Sequence, residues 1–264
     1  MKNKRILYTL AIAALVFFVF ATVQARADIY MKQKTHTGAL KVMGQTQPEK
    51  DEISVTWLGV GLARMDQGAA TSSILLGEKK ILYMLDHNKK TYAEMPLDLD
   101  KMFDEAAGAA AGDDPEMAEA KKKMPAFMKN LMKGATGGMS AKVTETGETK
   151  KIGSWNCRKY IIDMDMGMAG KTTSEAWATE DLKIDYSLYV TSAYAMLASQ
   201  PGFDKIVKEM RKIKGVIVYS TAKVSVMGSD VTSTTELLEC TEKSAPAGNY
   251  DIPAGYKKVK SFGK

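Results

Sequence analysis

The chain has 264 residues but only two cysteines and two histidines, and this scarcity limits its chemistry. A disulfide-rich scaffold or a cysteine-rich zinc domain needs more cysteines. A histidine-based metal enzyme needs more histidines than His36 and His87, for which we expect surface positions. The sequence also lacks the G-x-S-x-G, H-E-x-x-H and phosphate-loop motifs. We therefore predict a protein that is not an enzyme and needs no cofactor.

The excess of positive charge belongs to the N-terminal segment. Lys2, Lys4 and Arg5 precede an uncharged run over Ile6–Val23, and a small-x-small site follows at residues 25–27. This order is typical of a secretory signal peptide. We predict that residues 1–27 are cleaved and that residues 28–264 form one soluble periplasmic domain. The alternative is an uncleaved membrane anchor, because 18 apolar residues can just span a bilayer.

Removal of the signal peptide leaves little net charge and much methionine. The remaining 237 residues carry 33 basic and 31 acidic residues, with 17 methionines and four phenylalanines. No sustained basic patch remains, so we predict no nucleic-acid partner, and no stable membrane span after cleavage. Methionine suits surfaces that adapt to varied apolar partners, although it also fills ordinary cores.

The two cysteines form an even pair in an oxidising compartment. Cys157 and Cys240 are therefore predicted to form a disulfide. Two free, buried thiols are the alternative.

Short alternating runs fill the N-terminal third of the domain. From Asp28 to about Asp100 they follow one another too closely for crossover helices, which indicates an antiparallel meander. Further strands are predicted after residue 140, with two helices before the last pair. These predictions are helices over Asp185–Ser199 and Phe203–Ile213, and strands over Val216–Met227 and Ser229–Glu242.

An insert rich in alanine, glycine and methionine interrupts the strand pattern at about 97–140. Apolar residues recur there at three- and four-residue spacing, which predicts an amphipathic helix between glycine hinges. We interpret this helix as a lid over an apolar site, or simply as a helix on a core. Its candidate ligand-binding residues are Met124, Phe127, Met128, Leu131 and Met132.

Three methionines alternate along one predicted strand. Met164, Met166 and Met168 would place three thioethers on one face, and thioethers are ligands for Cu(I). The alternative is an ordinary apolar wall of the sheet, because no histidine or cysteine cluster accompanies them.

Several strand sequences resemble those of the lipoprotein-carrier (LolA/LppX-like) superfamily, and also of bacterial periplasmic domains of unknown function. The resemblance rests on these sequence stretches: Ala63-Arg64-Met65-Asp66, Ile74-Leu75-Leu76-Gly77, Lys80–Asp86 with Lys90-Thr91-Tyr92, Ile152–Tyr160 with Ala176–Leu182, and Ile252–Tyr256. It implies an α+β fold, in which a curved antiparallel sheet forms an incomplete half β-barrel. Helices would pack on, or plug, the concave face that holds acyl chains in characterised relatives.

Together these features predict a periplasmic, non-enzymatic carrier of a lipid, lipoprotein or other apolar ligand. Trp57 and Trp177 are the expected contacts from the sheet. Two alternatives remain open: a Cu(I)-binding protein that uses the methionine triplet, and a module that docks an envelope protein.

Overall fold

A computed structural model describes most of the predicted domain. The described residues are 27–42, 45–97, 140–165, 170–186, 188–190, 203–226, 229–260 and 262. The strands are β1 (Asp28–Thr37), β2 (Leu40–Val42), β3 (Gln45–Gln47), β4 (Lys50–Gly59), β5 (Leu62–Gln67), β6 (Thr71–Leu76), β7 (Ile81–Asp86), β8 (Thr91–Pro96), β9 (Ser140–Ile152), β10 (Trp155–Asp165), β11 (Lys171–Thr179), β12 (Val216–Val226), β13 (Ser229–Lys243) and β14 (Lys257–Val259). Among the described residues, helix α1 spans Phe203–Met210, and residues 186 and 188–190 are also helical.

Twelve strands form one sheet in the order β14-β8-β7-β6-β5-β4-β1-β13-β12-β11-β10-β9, and β2 and β3 form a separate hairpin. Two meanders, β4 to β8 and β9 to β13, are joined through β1, which pairs with β4 on one side and β13 on the other. All neighbours are antiparallel except β14, which runs parallel to β8. The sheet is therefore open and mixed.

The predicted α+β class is wrong. The structure is 64% strand and 6% helix over the described residues, so it is nearly all-β, without the helices expected to pack on or plug a half-barrel. The predicted meander itself is present, since β6, β7 and β8 follow one another as hairpins. Short turns between strands leave few residues for helices. Helix α1 ends at Met210, three residues earlier than predicted, because the chain turns there toward Gly215 and β12.

The hydrophobic core has two clusters of buried side chains. The larger joins the middle of the sheet to the segment after β11, and contains Ile29, Met31, Leu58, Cys157, Trp177, Leu188, Val216, Val218 and Leu237. The smaller contains Val143, Tyr160, Ile162, Ala176, Ala178 and Ile213. Burial of each large aliphatic side chain contributes about 1.5–3 kcal/mol. The larger cluster holds together strands from both meanders.

The predicted disulfide is not present. Cys157 is a buried free thiol on β10, and Cys240 is a half-buried free thiol on β13. Strands β11 and β12 lie between them. At about 4.8 Å per strand the two Cα atoms are roughly 14 Å apart along the sheet. A disulfide needs a Cα–Cα distance of about 4.4–6.8 Å, so the even cysteine count gave the wrong pairing.

Three predicted segments lie wholly or mostly outside the described residues. Two are the signal peptide, up to residue 26, and the insert over 98–139, which contains all five candidate lid residues. The third is the helix predicted over Asp185–Ser199, of which only the start is described; residues 186 and 188–190 are helical. None of the helices in the described part of the chain has the length and hydropathy that a bilayer crossing requires.

Candidate functional site

Strand register places a stripe of apolar side chains on one face of the first meander. Directly paired residues share a face of the sheet. One row runs through Ile29, Leu58, Ala63, Leu75, Leu82 and Met95, and the next through Met31, Thr56, Met65, Ser73, Met84 and Ala93. We call this side of β1 and β4 to β8 the cavity face. It combines leucine and methionine side chains from six strands.

An open cavity of about 230 Å³ lies on the cavity face. Its lining residues are Met31, Gln33, Thr56, Leu58, Ala63, Arg64, Met65, Ser73, Leu75, Leu82 and Tyr189. Met31, Leu58 and Leu75 are buried at its floor, whereas Ala63, Met65 and Leu82 remain partly accessible. Small-molecule pockets usually measure about 300–1,000 Å³. The cavity therefore has room for one thin apolar group rather than for a bulky ligand.

The two predicted tryptophan contacts do not line this cavity. Trp57 lies between Thr56 and Leu58 on β4, so its side chain is on the opposite face, where its ring packs 4.9 Å from that of Tyr30. Trp177 is buried in the larger core cluster, and the ammonium of Lys150 lies 4.0 Å from its ring centroid. Both tryptophans are 8% exposed.

The structure describes only the first member of the predicted copper triplet. Met164 is half-buried and packs against the smaller core cluster, while Met166 and Met168 fall outside the described residues. Within the described ranges, no group of three His, Cys, Asp or Glu side chains could hold a metal ion.

A polar network on the opposite face connects the first meander to the C-terminal segment. Asp66 Oδ1 accepts a hydrogen bond from Arg64 Nε at 2.8 Å and from Ser72 Oγ at 2.5 Å. His87 Nε2 lies 2.5 Å from Ser72 Oγ, and His87 Nδ1 lies 2.6 Å from the hydroxyl of Tyr256. Because the Ser72 proton goes to Asp66, His87 donates from Nε2 to Ser72 Oγ, and its Nδ1 makes a second hydrogen bond with the Tyr256 hydroxyl.

This direction of hydrogen bonding differs from that of a catalytic triad. In a catalytic triad the histidine takes the serine proton, whereas here Ser72 gives its proton to a carboxylate and is 2% exposed. The predicted surface position of His87 is wrong, because its ring is half-buried between two hydroxyl groups. No local signal could have revealed this, because Tyr256 lies 169 residues away. His36 does lie at the surface, paired with Asp51 at 2.7 Å.

Comparison with known families identifies the chain. Residues 36–256 match the family described as DUF4412, a domain of unknown function. The match covers nearly the whole predicted domain, so the chain belongs to the DUF4412 family. The expected membership of a domain-of-unknown-function family is thereby confirmed. The comparison with curated proteins gave no match.

Two solved structures are similar over most of their length, though only distantly. A DUF1329 family protein from Desulfovibrio piger shares 6% identity, with a TM-score of 0.29 over 86% of this chain and 90% of its own. A domain from Vibrio parahaemolyticus, assigned to outer membrane lipoprotein-sorting proteins, shares 5% identity, with a TM-score of 0.30 over 86% and 91%. Scores this low carry no argument about function.

Proposed function

We propose that this protein is an exported, non-enzymatic binding protein for an apolar ligand, such as one acyl chain of a lipid or lipoprotein. The observation that supports the proposal is the cavity on the apolar stripe. The buried side chains of Met31, Leu58 and Leu75 form its floor, and Ala63 and Met65 leave apolar surface accessible to a ligand. The signal-type N terminus supports export to the periplasm.

The chemistry of the cavity fits an acyl chain better than a polar ligand. Its polar side chains, Gln33, Thr56 and Ser73, are uncharged, and the guanidinium of Arg64 is bonded to Asp66 and the carbonyl of Asn249. Apolar contact contributes about 25 cal/mol per Å² removed from water. Methionine side chains adjust to chains of different shape. The ligand is therefore held by burial and not by charge.

The test is native mass spectrometry of the purified protein, followed by titration with a fluorescent fatty acid. We expect copurified lipid and saturable binding. Ala63→Phe would fill the cavity and should weaken binding at least tenfold, whereas Ala254→Phe, at an exposed turn, should not. Met65→Gln, which keeps the side-chain volume, replaces Ala63→Phe if that variant fails to fold. Equal binding by all folded variants would refute the site.

The same titration tests the predicted role of the insert. Met124→Gln and Phe127→Gln should weaken binding if the helix contacts the ligand, as the sequence pattern suggests.

A further inference from the structure

A second cavity, of about 450 Å³, lies at the end of the sheet where four strands of the second meander meet. It is bordered by the end of β9, the start of β10, the end of β11 and the residues before β12. Four cations line it, Lys150, Lys151, Arg158 and Lys214, against two carboxylates, Glu180 and Asp181. This cavity is therefore lined by charged side chains, whereas the first cavity is lined mainly by apolar ones.

The carboxylates near this cavity offset only part of its positive charge. Asp181 Oδ2 accepts hydrogen bonds from the backbone nitrogen of Asn156 at 2.7 Å and from its Nδ2 at 3.0 Å. Glu180 approaches Arg158 only to 3.7 Å, longer than the roughly 2.7–2.9 Å of a close ion pair. Arg158 is also 3.8 Å from Glu145. Arg158 is thus loosely paired with two carboxylates, and the surplus positive charge of the cavity lies on its three lysines.

The lysines have no carboxylate partner among the described residues. The ammonium of Lys150 lies over the ring of Trp177, and those of Lys151 and Lys214 make no ion pair with any residue that the structure describes. Register places Lys150 opposite Cys157 and Lys151 opposite Asn156. The backbone nitrogen of Lys214 donates to the hydroxyl of Tyr160 at 3.3 Å, which holds that residue beside β10.

Hydrogen bonds fix the residues around this cavity in the absence of a ligand. Thr179 Oγ1 donates to the carbonyl of Asn156 at 2.9 Å and accepts from the backbone nitrogen of Asp181 at 3.1 Å. Thr179 is 1% exposed, so these bonds lie in a dry environment. A preorganised wall reduces the ordering that a ligand must impose.

We propose that this cavity binds a phosphate group, whether as free phosphate or as the headgroup of an anionic lipid. A multivalent anion would pair with the ammonium groups of Lys151 and Lys214, which make no ion pair within the described residues. Phosphate accepts hydrogen bonds from several ammonium groups at once. All four cations are exposed, so the cavity can be reached from solvent. The site does not depend on the apolar cavity, so either proposal can fail alone.

The first arm of the test is calorimetric titration of the full protein with inorganic phosphate, at constant ionic strength set with chloride. We expect saturable binding that weakens as ionic strength rises. The double variant Lys151→Gln/Lys214→Gln should lose at least tenfold in affinity. The control is Lys205→Gln/Lys223→Gln, which removes the same charge from exposed positions elsewhere and should bind phosphate like the parent protein.

The second arm identifies the source of the phosphate by cosedimentation with vesicles. Vesicles of phosphatidylglycerol should retain the parent and control proteins more than the double variant, and vesicles of phosphatidylcholine should retain none of them, if the group is a lipid headgroup. Phosphate binding without vesicle binding would assign the site to the free anion. Absence of binding in both arms, or equal loss in the control variant, would overturn the proposal.

Discussion

The hydroxyl of Tyr256 makes a hydrogen bond of 2.6 Å with Nδ1 of His87, and so attaches the C-terminal segment to the turn between β7 and β8. The bond continues through Ser72 to Asp66, where the chain of donors ends on a carboxylate. Arg64 reinforces the attachment, because its Nη1 donates to the carbonyl of Asn249 at 2.9 Å. These hydrogen bonds thus connect two distant parts of the sequence and hold the C-terminal segment against the opposite face of the sheet.

Removal of the Tyr256 hydroxyl should loosen this attachment. Tyr256→Phe leaves His87 Nδ1 without its hydrogen-bond partner, and we expect a loss of about 1 kcal/mol in the free energy of unfolding. Hydrogen exchange should accelerate over residues 249–259 before it does so in β10. Tyr83→Phe is the control, because that hydroxyl makes no hydrogen bond within the described residues. Equal losses in the two variants, measured by urea denaturation, would argue against a specific role for Tyr256.

Gly215 should not tolerate any side chain. Its φ is +89°, and an added Cβ would lie 2.0 Å from the carbonyl oxygen of Thr179. We expect Gly215→Ala to cost about 3 kcal/mol or more. Gly153, with φ +56° and no atom within 4 Å of such a Cβ, provides the matched control. Gly153→Ala should cost only the roughly 1 kcal/mol of its left-handed backbone. Thermal denaturation of the two variants separates the cost of the close Cβ contact from the cost of the left-handed backbone.

The stability of the protein should fall in alkali partly because of Tyr250. Its hydroxyl donates to Asp28 Oδ2 at 2.8 Å, and burial, followed by the bond and charge of Asp28, raises the pKa of this phenol. The folded state therefore keeps a proton that the unfolded chain releases near pH 10. This contribution is complete below about pH 10 and is lost as pH rises toward the folded pKa.

Tyr250→Phe tests this dependence. The variant should be less stable by about 1.5 kcal/mol at pH 7, because a hydrogen bond to a charged group is lost. Its free energy of unfolding should then decline less steeply than that of the parent between pH 9.5 and about 11. Parallel declines in denaturation experiments across this range would show that Tyr250 does not contribute.

Both cysteines should be detected as free thiols in protein purified without reductant. Burial, and then the charges of Glu239 and Glu242, raise the pKa of Cys240 to about 11. Little thiolate is then present at pH 8, so Cys240 should react with iodoacetamide far more slowly than free cysteine. After denaturation both residues should react at once. A count of zero thiols in the denatured protein would restore the disulfide that the sequence suggests.

Some of the fold is readable from the sequence because its cause is local. Alternation and turn residues predict the strand over Val216–Met227, and the structure has β12 over Val216–Val226. The same holds for the strand predicted over Ser229–Glu242, found as β13 over Ser229–Lys243. Alternation reports that a strand has two different faces. It does not report which neighbour each face will meet.

Strand β4 shows that alternation alone does not assign every side chain to a face of the sheet. Trp57 and Leu58 are consecutive and both buried, at 8% and 3% exposure, so the strand is apolar on both faces at this end. Trp57 is the contact expected from the sequence, whereas the register of β4 with β5 places Leu58 in the row with Ala63, beside the cavity. Two buried neighbours give no period, so only strand pairing distinguishes their faces.

The sequence by itself determined the succession of hairpins and the family, because both depend on patterns along the chain. The tertiary structure decided that β1 lies between β4 and β13, and that the two cysteines stand on strands too far apart to join. It also placed His87 against Tyr256 and gathered four cations at one end of the second meander. These are contacts between distant residues, and their geometry is set by the register of the whole sheet.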